Sequence, residues 1–313
     1  VSAWRQEASD FVRALSGAFL FGTPLLFTIE MWELGVTVAP WRLLLFLLLA
    51  LLASAGLAYS TGFRHQEGRP SVMGSLEEAV DAVAVGAVAS VCVLLALNRI
   101  YLGDPLGGAA GKVAVQTVPL ALGAAVANAV FARGGRRGDS EDDSGDGGAP
   151  GRGAGAPGGT GAAPPRQEND SSGAAVKAAP GPWAATLLDV GATIVGAVFI
   201  SVSIVPTDEV PLLASGMTYW HELALIVLTL AVSYAIVFAS GFDPEGEERP
   251  EGILQHPLSE TAVAYTVSLA ISLAALVLFN RVTPEEPLGF AISQTLVLAF
   301  PAAVGGAAGR LVA

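Results

Sequence analysis

The residues whose types could do chemistry are few, and most are carboxylates at the ends of long apolar runs. Glu78 and Glu260 each open such a run, and Glu77 and Asp81 extend the first into Glu-Glu-x-x-Asp. Spacings of three and four on a helix put Asp81 above that pair on one face. Asp189 lies several residues inside another run, where so short a side chain cannot snorkel far. Acids at such depth face a protein interior or a wet cavity and mark ion or proton pathways. At the opposite ends stand Glu30 and Glu33, and Asp208 and Glu209, joined by Asp104, Glu222, Glu285 and Glu286. Acids at a mouth concentrate cations, although they also serve as solvated surface or as partners of a helix N-terminus.

Inside the runs, Pro119 and Pro301 each remove a backbone hydrogen bond and are expected to kink their helices as hinges. The carbonyls so freed, beside Lys112 and Gln116 in one copy and Gln294 in the other, could line a polar path or only a packing kink. Thr23-Pro24 interrupts the first run alone. Asn98-Arg99 and Asn280-Arg281 end two runs, where Asn terminates a helix and Arg complements its C-terminal dipole.

Other chemistries find little support. His65, His221 and His256 have no second His or Cys at ligand spacing, so no metal site is expected. No phosphate-binding loop or Ser/His/Asp pattern is visible, and neither a cofactor nor an enzyme activity is expected. A formal charge of -12 without a basic patch argues against nucleic acid. Cys92, alone in an apolar run, is expected to be a small buried residue.

The elements that must hold these residues are set by composition. Of 313 residues, 52% are apolar and 14% charged, against about a quarter charged in soluble domains, and the mean hydropathy is +0.58. Eight segments, near 11–31, 41–62, 78–98, 108–132, 183–205, 220–241, 260–280 and 288–312, are long enough to cross about 30 Å of hydrocarbon as helices. Residues 134–182, rich in Gly, Ala, Pro and Ser and carrying an acidic cluster, should form a disordered linker. It separates a first four-helix repeat (1–133) from a second (183–313). No removable signal peptide is expected at the N-terminus.

The halves align with hardly a gap. Trp41 through Phe63 matches Trp220 through Phe242 at an offset of 179. Leu76, Glu78, Asn98-Arg99, Pro105-Leu106-Gly107, Pro119 and Gly123 match Leu258, Glu260, Asn280-Arg281, Pro287-Leu288-Gly289, Pro301 and Gly305 at an offset of 182. Four helices per half is an even number, so the fold class expected is an all-α integral membrane protein of two direct repeats. The N-terminal, linker and C-terminal side carries most of the Lys and Arg, which puts both termini in the cytoplasm. Trp32, Trp41 and Trp220 then fall at outer headgroup levels, with Trp4 and Trp183 at inner ones. Gly123-x-x-x-Ala127 and Gly305-x-x-x-Gly309 are expected to let helices approach closely.

With Thr28-Ile29-Glu30-Met31-Trp32-Glu33-Leu34-Gly35 closing the first helix and Ser75-Leu76-Glu77-Glu78-Ala79-Val80-Asp81 opening the third, the chain resembles a family of prokaryotic integral membrane proteins of unknown function. The resemblance implies a multi-pass protein and brings no substrate, cofactor or catalytic residue. The residues themselves suggest a channel or transporter in the cell membrane for a small cation or proton, with its pathway between the repeats. The alternative is a membrane-embedded sensor or scaffold that binds partners through its linker.

Overall fold

In a computed structural model the chain is all-helical among the described residues, which are 3–61, 72–101, 103–138, 182–239 and 257–312. The first half comprises α1 (Ala3–Leu26), α2 (Ile29–Thr37), α3 (Pro40–Thr61), α4 (Val72–Ala96) and α5 (Leu106–Gly138). The second comprises α6 (Pro182–Ile204), α7 (Glu209–Ser215), α8 (Tyr219–Tyr234) continued by a π-helical turn (Ala235–Ala239), α9 (Pro257–Leu278) and α10 (Leu288–Val312). Among the described residues, seven helices are long and apolar enough to cross a membrane, and α1 with α2 makes an eighth candidate bent by 88°. On α3, Leu44, Leu48 and Leu52 form an outward stripe at four-residue spacing and are all exposed. Such a stripe suits lipid, which cannot hydrogen-bond a backbone and so favours a helix that satisfies its own.

The order of one long helix, one short and three long occurs twice, and so does the packing: α5 rests on α1 to α4, and α10 on α6 to α9. Close approach depends on glycine. A Cβ on Gly17 or Gly123 would strike the facing helix of the α1–α5 pair, and one on Gly196 or Gly305 would do the same between α6 and α10. The ends of α4 and α9 are also alike. Asn98 and Asn280 hold positive φ, 53° and 57°. Arg99 N–H then reaches back to Leu94 O, and Arg281 N–H to Leu276 O, both at 2.8 Å. Asn tolerates this left-handed turn because its short polar side chain makes it less costly.

The halves meet through aromatic rings. Phe19 and Phe300 stand edge to face with centroids 5.9 Å apart, and Phe27 lies 6.3 Å from Phe300. All three are buried. At one end of the contact, Asn98 Nδ2 donates to Gly216 O at 2.5 Å and an Arg99 amine to Leu212 O at 2.9 Å.

Several expectations need correction. Glu30 and Glu33 do not end the first membrane helix but lie on α2, beyond the bend. Trp32 is buried in the protein, its Nε1 donating to Leu26 O at 3.1 Å across the turn. Cys92 is exposed on α4, not packed inside. Helix α5 continues to Gly138, past the expected start of the linker, while residues 139–181 and with them the disorder expected there lie outside the described residues. Pro119 and Pro301 lie inside α5 and α10, which each continue past the proline, as a kinked helix also does.

Candidate functional site

Among the described residues, the charged groups that enter the bundle lie toward its two ends. At the linker end, where α6 and α9 start and α10 finishes, the Arg310 side chain is 2% exposed. Its guanidinium pairs closely with Glu260 of α9, stands 3.8 Å from Asp189 of α6, and lies 5.6 Å above the ring of Phe238 on the π-helical turn. The Glu260 and Asp189 side chains are 25% and 42% exposed. Thus Asp189 and Glu260, read separately in the sequence, meet on one buried cation. A guanidinium withdrawn from water needs such partners, and its Nε has none among the described residues.

The same end of the first half is built differently. Between α1 and α4 lies a cavity of about 380 Å³ whose lining includes Glu7, Asp10, Phe11, Asp81, Val85 and Asn128. Arg13 lies 3.5 Å from Asp10. Glu78 is half-buried on α4 and engaged in a polar interaction. Among the described residues no three of His, Cys, Asp and Glu are grouped to hold a metal ion.

At the far end, Arg99 stacks 4.7 Å over Trp32, and burial holds its guanidinium below the usual arginine range. Lys112 Nζ donates to Arg99 O at 2.6 Å and stands 3.7 Å from Asp104. The positions 182 residues on hold a neutral donor on a carboxylate instead of an ion pair: Gln294 Nε2 donates to Glu286 at 3.1 Å. Glu30 and Glu33 are exposed, Asp208 is exposed and bound to Arg281 at 2.8 Å, and Glu209 is buried with one oxygen unpartnered among the described residues. His221 caps α8 with Thr218, while His65 and His256 lie outside the described residues.

Between these ends, the Gln116 side chain has no exposure, and neither its oxygen nor its nitrogen has a partner among the described residues. Ser54 and Ser233, which correspond at the offset of 179, likewise carry buried unpartnered hydroxyls. Sequence reading counted Arg310 only as a positive charge and passed over Asp10, Glu7 and Asn128. The repeat alignment contained the missing signal, since Asp10 corresponds to Asp189 and Asn128 to Arg310.

Long apolar helices, outward-facing leucines and buried charges at the bundle ends define a multi-pass integral membrane protein that is all-helical among the described residues. The chain belongs to the family described as "Putative integral membrane protein (DUF2391)", which matches residues 10–313. No curated protein and no solved structure matches it.

Proposed function

We propose that the protein is a channel or transporter for small cations, protons included, in the cell membrane, and that it is not an enzyme. In this reading its halves are direct repeats, with both termini and the linker in the cytoplasm. The observation that carries the proposal is Gln116. A carboxamide buried in a membrane span with both polar atoms unpartnered is costly unless water or a passing polar solute reaches it. It lies on α5 between the linker-end acids and the Lys112–Asp104 pair, one helical turn past Lys112.

The direction of the helices supports direct repetition. The starts of α1 and α4 share the linker-end cavity, and the end of α4 meets α7 just beyond the end of α6. Helices α1 and α6 therefore run the same way. Phe19, Phe27 and Phe300 fill the contact between halves, so a pathway there is shut in this conformation and opens by parting the rings. Purified protein in liposomes should carry Na⁺, K⁺, Ca²⁺ or H⁺ down an imposed gradient faster than empty liposomes do. Transport of none of the four would overturn the proposal in favour of a sensor or scaffold that works through its linker.

A further inference from the structure

On α8 and α9 the buried hydroxyls bond back to their own helix, with one exception. Thr229 donates to Leu225 O at 2.6 Å, and Thr261, Ser268 and Ser272 donate to the carbonyls four residues earlier at 2.8, 2.9 and 2.8 Å. Ser233 stands one turn beyond Thr229, and its buried hydroxyl has no partner among the described residues. The same holds for Nε of Arg310. These two groups meet at one place, a void of about 10 Å³ between α8 with its π-helical turn, α9 and α10, and Thr261 lines it beside them. We infer that this void is a binding site for a single water molecule, held by Arg310, Ser233 and Thr261.

The size admits one water and nothing larger. A void with only apolar walls stays dry, and Val237 and three alanines form much of this one. A guanidinium N–H and a hydroxyl at its edge reverse that preference, because each is costly to withdraw from water until it is paired. One water satisfies both. It accepts from Nε–H of Arg310 and from the Ser233 hydroxyl, and donates to Thr261 Oγ1, whose own hydrogen is directed to Pro257 O. Three bonds are the usual number for a buried water. The π-helical turn shapes the place: it begins two residues past Ser233 and carries both Val237, on the void, and Phe238, whose ring lies 5.6 Å from the guanidinium. Turns of this kind often accompany sites with a special task. A single water supplies an acceptor but no charge, so it complements Glu260 and Asp189 and replaces neither. It also differs from bulk hydration, which a side chain 2% exposed does not receive.

The test is a density map of the full-length protein in lipid nanodiscs, at a resolution that shows ordered water, together with thermal melts of Ser233→Ala. One peak is expected within about 2.7–3.2 Å of both Ser233 Oγ and Arg310 Nε. Ser233→Ala takes one partner from the water and should melt about 2–4 °C below the parent. A dry void predicts the opposite sign, since alanine is the better helix former and removes a hydroxyl that nothing satisfies. No density in the void, in a map that shows water at other buried polar groups, would overturn the inference. So would a map in which Arg310 Nε donates to Ser233 Oγ directly, or Ser233→Ala protein that melts at or above the parent. Neither readout involves flux, so a failure of cation transport would leave this site standing.

Discussion

Arg310 shows how one side chain can join several elements. Its charge is almost wholly removed from water, and its two carboxylate partners differ in exposure. Removing the closer one leaves a buried guanidinium with only a distant acid, so Glu260→Gln should cost about 3–5 kcal/mol. Asp189→Asn, at a side chain 42% exposed and 3.8 Å away, should cost about 1 kcal/mol or less. Thermal unfolding in detergent measures both, and the double replacement Arg310→Met with Glu260→Gln should recover much of the larger loss. Equal small losses would show that the guanidinium is hydrated. The carboxylates were legible in the sequence because acids in apolar runs are conspicuous. Their common partner was not, since an arginine in the last turn of a membrane helix reads as a headgroup or dipole residue whichever way it turns.

Among the helices, the repeated features were the readable ones. Paired prolines, Asn-Arg ends and small-residue motifs recur at fixed offsets in the sequence. The short helices were hidden. Met31, Trp32, Leu34 and Val36 continue the apolar character of the first run, so nothing in hydropathy marks a right-angled bend. What accompanies the turn is a local detail that hydropathy does not show, the Trp32 hydrogen bond to Leu26. Glycine contacts make a sharper prediction. Gly196→Ala forces a methyl into the backbone of Gly305 and should destabilise by about 1–3 kcal/mol. Gly56→Ala, with open space around its Cβ position, should be neutral or stabilising by up to about 1 kcal/mol through helix propensity. Thermal melts giving the same sign for both would contradict the packing described between α6 and α10.

At the scale of the whole molecule, orientation and transport are the claims to test. The excess of Lys and Arg on the linker side predicts that protease cuts residues 139–181 in inside-out vesicles. Cutting only in right-side-out vesicles would reverse the topology without altering the fold. Transport turns on whether the acids at the linker end serve a moving cation or only the helix ends. The most direct measurement is cation flux through proteoliposomes carrying Glu78→Gln, Asp189→Asn or Glu260→Gln, each compared with the parent at equal amounts of folded protein. These replacements remove charge while nearly preserving shape, and a carboxylate on the pathway should reveal itself as lost flux in protein that still inserts and melts cooperatively. The account predicts a clear fall, read more cleanly in Asp189→Asn than in Glu260→Gln because its stability cost is smaller. Parental flux in all three would contradict it.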